Sequence, residues 1–229
     1  MTAPLAIAPD PLAALPEPLR WLIGRATPDE PALGIVQPGV SAESLCTAWL
    51  KEEQFPSVVR LIACVLPSRE SIWWAWVSAR HATQMPGAAA PTADMHTAMS
   101  LVEQWIVRPD DDARRAAWDA GNAAGLDTPI GMVATAVFLS GTSIAPASSP
   151  PLPPPPGVTT AIVAGVIMLS AASNKDPLQI APTLSAFSAQ GLEIVKRLGG
   201  WDASLKLAYD SHQRAQQEYV RATQPPVAR

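Results

Sequence analysis

Three tryptophans stand within four residues, Trp73, Trp74 and Trp76, inside the segment Leu66-Pro67-Ser68-Arg69-Glu70-Ser71-Ile72-Trp73-Trp74-Ala75-Trp76-Val77-Ser78-Ala79-Arg80. At 100° per residue they spread over an arc of about 160° around a helix, too wide for one narrow apolar stripe. A helix that carries them must meet several neighbours. Ser68 is placed to cap it, with Glu70 and Ser71 in the first turn. Tandem tryptophans are costly to leave in water, so Trp73 or Trp74, or both together, are expected to be largely buried. Truncating a buried tryptophan to Ala costs about 3–5 kcal/mol, and Trp76, Trp105 and Trp118 are read the same way.

Proline organises the rest. The 25 prolines fall mostly between helical patterns, from Pro4 to Pro38, at Pro86 and Pro91, and from Pro146 to Pro156. Between them the spacing predicts helices near 17–25, 41–53, 55–66, 68–84, 93–107, 110–124, 128–140, 158–173, 178–198 and 202–221. No strand alternation survives. Asp110 to Asp112 place acid in a first turn and Gly125 supplies a C-cap. Asp127 or Thr128 with Pro129, and Asp176 with Pro177, repeat an N-cap followed by proline at the first helical position. The expected fold is all-α, an irregular multi-helix bundle of about eight to ten helices with a proline-rich connector. Its parts are a proline-rich N-terminal segment with one short helix (1–40), a helical core (41–143), the connector (144–157), C-terminal helices packed on the core (158–221) and a tail (222–229).

A chain of 229 residues, 48% hydrophobic, 16% charged and of formal net charge −4, has the balance of a soluble globular protein. The 16 Lys and Arg are scattered among 20 Asp and Glu, so no basic patch points to nucleic acid. Cys46 and Cys64 lie in apolar, helix-like surroundings and read as small buried hydrophobes in a reducing compartment. Met1 to Asp10 lacks a positive n-region and is broken by Pro4 and Pro9, unlike a signal peptide, which makes the cytoplasm the expected location. The most apolar run, Val158 to Ala172, is about fifteen residues, short of the roughly twenty that span a bilayer. Its Thr159, Thr160, Gly165 and Ser170 suit close packing in a core helix.

Candidate chemistry lacks essential members. Gly34-Ile35-Val36-Gln37-Pro38-Gly39-Val40-Ser41 has the glycine spacing of a P-loop, but Val40 stands where the phosphate-binding lysine belongs, so a turn and an N-cap are expected. Gly141-Thr142-Ser143-Ile144-Ala145 lacks the strand and helix of a nucleophile elbow. His81, His96 and His212 have no second histidine at ligand spacing, and no metal or other cofactor is expected. A Cys64 and His81 nucleophile pair is left to the fold to decide.

Several blocks together resemble an uncharacterised family of bacterial proteins. They are Ile72-Trp73-Trp74-Ala75 with Ala79-Arg80, Arg108-Pro109 leading to Arg114-Arg115-Ala116-Ala117, Ala124-Gly125-Leu126-Asp127-Thr128-Pro129-Ile130-Gly131, and Phe138-Leu139-Ser140-Gly141-Thr142-Ser143. The proline run and Thr160 through Gly165 to Leu169 complete the series, which covers roughly residues 45 to 185. The family is a domain of unknown function, so the resemblance implies no catalytic residue. It associates such proteins with bacterial secretion gene neighbourhoods, the type VI injection machinery in particular.

Within these blocks Arg80 and Arg115 are the candidate binding cations, with Asp127 as partner in an internal clamp or a ligand site. Leu126 to Gly131 with Ser140 to Ser143 is the candidate anion site, through a helix N-terminus and the Ser143 hydroxyl. Ser148 to Gly157 should be extended polyproline, a linker or a packed strap, whose Pro153 and Pro154 could dock an aromatic groove. Two functions follow: a non-enzymatic adaptor, accessory factor or chaperone that binds a protein partner, or a small enzyme with a site near Arg80, Asp127 and Ser143.

Overall fold

A computed structural model describes residues 12–224. The expectation about Met1 to Asp10, and residues 225–229 of the tail, lie outside the described residues. Among those described there are eleven α-helices, one 3-10 turn and no strand, with about 70% of them helical. The helices are α1 (Glu17–Ala26), α2 (Glu30–Leu33), α3 (Ala42–Lys51), α4 (Phe55–Val65), α5 (Ser68–Ala82), α6 (Ala93–Val107), α7 (Asp111–Ala124), α8 (Pro129–Leu139), α9 (Val158–Ala172), α10 (Ile180–Arg197) and α11 (Trp201–Thr223).

Most starts have a visible local cause. Ser41, Thr92, Asp110 and Thr128 each accept a hydrogen bond from a backbone N–H of the first turn they precede, capping α3, α6, α7 and α8. Proline in the first turn opens α1, α2, α4 and α8. Asp176 accepts from the Leu178 N–H and starts the 3-10 turn Pro177–Gln179 that leads into α10. Two details differ from expectation. Pro67, extended at φ −58° and ψ 153°, holds the cap position of α5, so Ser68 is the first helical residue and makes no capping bond. The single turn of α2 adds a second helix to the N-terminal segment.

Helix α5 lies at the centre, packed against α6, α8, α9 and α10, and α9 packs in turn on α4, α5, α8 and α10. One continuous apolar cluster runs from Leu15 to Trp201. Helix α9 is a core helix with Val163, Val166 and Ile167 buried, and no helix among the described residues is long and apolar enough to cross a membrane.

The tryptophans of α5 narrow one expectation. Its buried face consists of Ser71, Ile72, Ala75, Ser78, Ala79 and Ala82, flanked on either side by Trp74 and Trp76. That face spans about 200° the long way round, which leaves Trp73 at the middle of the outer face. Trp74 is fully buried and donates its indole N–H to the Phe187 carbonyl at 2.9 Å, and Trp76 donates to the Met99 carbonyl at 3.3 Å. Trp73 is 43% exposed.

Candidate functional site

The α7–α8 pair holds a guanidinium that the sequence reading passed over. Arg114, 3% exposed, donates through Nε and Nη2 to Asp111 Oδ1 at 2.9 and 2.6 Å, through Nη2 to the Ser143 carbonyl at 2.8 Å and through Nη1 to the Phe138 carbonyl. Its Cζ also sits 5.0 Å from the centre of the Phe138 ring, on which Trp118 stacks at 4.8 Å. A Cβ on Gly141 would collide with Arg114 Nε, so the turn after α8 closes over the guanidinium only with glycine there. The block from Phe138 to Ser143 is thus the socket of Arg114. Its neighbour Arg115, 100° further round α7, pairs with the other oxygen of Asp111 at 2.7 Å on the surface.

The same socket anchors the proline-rich segment. Ser143 Oγ accepts from the Ala145 N–H at 3.2 Å and the Leu152 N–H at 3.0 Å, and the Ile144 N–H donates to the Leu152 carbonyl at 2.8 Å. At the far end Arg25 of α1 donates to the Pro156 carbonyl at 3.1 Å. Gly157 has φ +83°, and a Cβ there would collide with Arg25 Nη2. The segment is therefore a strap tied at both ends. Pro153 and Pro154 are half-buried, while Pro150, Pro151, Leu152 and Pro155 face outward.

The expected clamp and anion site do not assemble. Arg80 is exposed on α5 with its Cζ 5.4 Å from the centre of the Trp76 ring, and neither it nor Arg115 bonds Asp127, which is exposed between α7 and α8. Leu126 to Gly131 and Ser140 to Ser143 lie at opposite ends of α8, whose 11 residues separate them by about 16 Å. Thr128 already occupies the helix N-terminus by capping Gly131. The Ser143 hydroxyl is engaged in holding the strap. His81 packs edge-on against Phe187, while Cys64 lines a cavity to which His81 does not contribute, so these two form no pair.

That cavity is a cleft of about 300 Å³ between α1, the α4–α5 junction, the start of α9 and α11. Trp21 and Arg25 come from α1, Cys64 and Leu66 from the junction, Thr160 from α9, and Leu207 and His212 from α11. Trp21 packs edge-on against Tyr209 at 5.5 Å and tilted against His212 at 5.2 Å, and its indole N–H is buried without an acceptor. Burial, with Arg25 close by, lowers the His212 pKa and keeps its imidazole neutral. Burial pushes the Cys64 thiol up to about 11, against the opposing pull of Arg25 and the Thr160 hydroxyl, so the thiolate is scarce at neutral pH. Among the described residues no group of three His, Cys, Asp or Glu side chains could hold a metal ion.

What these features define is an all-α bundle built around a buried guanidinium and a strapped-down proline segment. The chain belongs to DUF6931, a family of unknown function, whose profile matches residues 45–195. No curated protein and no solved structure matches it. The matched region contains the α5 tryptophans, the Arg114 socket and the whole strap, and excludes α1 and all of α11.

Proposed function

We propose that the protein is a non-enzymatic adaptor, accessory factor or chaperone that binds a protein partner through the outer face of α5. The observation that carries this reading is Trp73, exposed at the middle of that face between Arg69 and Arg80. Tryptophan and arginine are the residues that most often anchor protein interfaces. Arg69 donates to the Ile106 and Val107 carbonyls at 2.7 and 3.4 Å, which sets Val107, 73% exposed, beside the same patch. Both cationic side chains lie on a chain of net charge −4, so the partner's surface is acidic around an apolar pocket.

The strap supports a second docking surface. It is ordered before binding, and its outward Leu152 and Pro155 could enter an aromatic groove with little loss of conformational entropy. The setting we propose, which rests on the resemblance alone, is a bacterial secretion apparatus, type VI in particular, approached from the cytoplasm. A tagged pull-down from the native host, read by mass spectrometry, compares wild type with Trp73→Ser and with Leu152→Ser. A protein captured by wild type and by Leu152→Ser but lost with Trp73→Ser is the expected result. Equal capture by all three, or turnover in a substrate screen that single changes at Arg80, Asp127 or Ser143 abolish, would overturn the reading.

A further inference from the structure

We propose that the cleft between α1 and α11 binds a small apolar monocarboxylate, such as a short fatty acid or an aromatic acid, with its carboxylate on Arg25. The proposal is independent of partner binding at Trp73. Charge carries it first. Among the described residues that line the cleft there is no Asp or Glu, and Arg25 has no ion pair. Its one hydrogen bond, to the Pro156 carbonyl, uses Nη2 and leaves the other guanidinium donors for an anion. A cation in an apolar cleft without a counter-charge is satisfied by an anionic ligand.

A second, separate observation is the Trp21 indole N–H, buried beside Arg25 on the next turn of α1 and without an acceptor. Buried donors nearly always have a partner, and a carboxylate held on Arg25 has lone pairs enough to accept from Trp21 as well once the indole turns its N–H toward the cleft. Much of the remaining lining is apolar, with Val65 and Leu66 on one side, Leu207 and Ala208 on the other and the Trp21 ring between, while Ser68, Thr160, Ser211 and His212 add polar atoms. One guanidinium beside a neutral imidazole matches a single negative charge better than two. The volume lies at the lower end of the range for small-molecule sites, which limits the apolar body to a short chain or one ring.

The test uses the full chain labelled with ¹⁵N, in which Trp21→Phe identifies the Trp21 indole resonance. Octanoate and octan-1-ol, which share a chain length and differ in charge, are titrated in turn. The Trp21 resonance is expected to move with octanoate and to move little with octanol. Arg25→Gln should weaken octanoate at least about tenfold and leave octanol unchanged, whereas Arg80→Gln should change neither. Arg25 also braces the strap, so a second variant avoids it: Leu207→Glu, at a half-exposed position, brings a carboxylate to the cleft and should weaken octanoate without lowering the melting temperature. Equal response to the two probes, an unmoved Trp21 resonance, or unaltered octanoate affinity in Leu207→Glu would overturn the proposal.

Discussion

Replacing Arg114 by Met should destabilise the protein far more than the same change one residue later. The substitution removes the donor to the Phe138 and Ser143 carbonyls, both partly shielded from water, and each carbonyl left unpaired costs about 1 kcal/mol or more. Loss of the contact with the Phe138 ring adds about 0.5–2 kcal/mol. Asp111 is 57% exposed, so its own pairing adds less than about 1 kcal/mol. The total is roughly 3–4 kcal/mol, which for a chain of this size lowers the melting temperature by about 6–16 °C. Arg115→Met breaks only a surface pair and should cost less than about 1 kcal/mol. Urea and thermal unfolding followed by circular dichroism measure both. A loss in Arg114→Met no larger than in Arg115→Met would refute the assignment of the buried clamp. Asp111→Asn separates the contributions: if it costs as much as Arg114→Met, the ion pair and not the carbonyl socket holds α7 to α8.

Three further outcomes follow from burial and charge. Trp74→Ala should cost about 3–5 kcal/mol while Trp73→Ala costs less than about 1.5 kcal/mol, and acrylamide should quench Trp73 readily and Trp74 hardly at all in single-tryptophan variants. With thiol pKa values pushed by burial up to about 11 at Cys64 and about 12 at Cys46, iodoacetamide at pH 8 should modify the folded protein more than about tenfold more slowly than the urea-unfolded chain. His212 titrates below its ordinary 6.5 in the folded state, so the unfolded chain takes up its proton first. Its contribution to stability is therefore present above about pH 6.5 and lost as pH falls through the folded value, a slope that His212→Gln should remove from urea midpoints measured between pH 7 and 5.

Helix positions were legible because their causes are local. Proline at first-turn positions and the caps at Ser41, Asp110 and Thr128 act within four residues, and the helices start within a residue or two of where these signals stand. The orientation of α5 was less so. Three tryptophans mark a wide apolar arc, but the small residues Ser71, Ala75, Ser78, Ala79 and Ala82 mark the closely packed side, and they lie opposite Trp73. A similar signal, not used in the sequence reading, marks Arg114. It shares a stripe with Ala117, Gly121 and Ala124, at intervals of three and four, which is the face that α7 buries against α8, and Arg115 falls off that stripe. The α1–α11 cleft had no such signal. Its walls come from residues as far apart as Trp21 and His212, and only tertiary packing brings them together.

The strap connects the two parts of the molecule. One end is fixed by Ser143, whose carbonyl is held by Arg114 within the matched region, and the other by Arg25, which lies outside it. Arg25 therefore faces two acceptors in turn, the Pro156 carbonyl it already holds and any anion that enters the cleft beside it. An anion that engages the remaining guanidinium donors leaves the Pro156 bond intact and fixes the Arg25 side chain more firmly, whereas one that displaces the carbonyl loosens the strap at Gly157. The two cases predict opposite signs. Amide hydrogen exchange at Val158, whose N–H donates to the Pro155 carbonyl at 3.1 Å, should slow with octanoate in the first and quicken in the second. The geometry favours the first. Gly157 admits Arg25 Nη2 where any other residue would place a Cβ, so the guanidinium is already seated in the strap, with its remaining donors free to turn to the cleft.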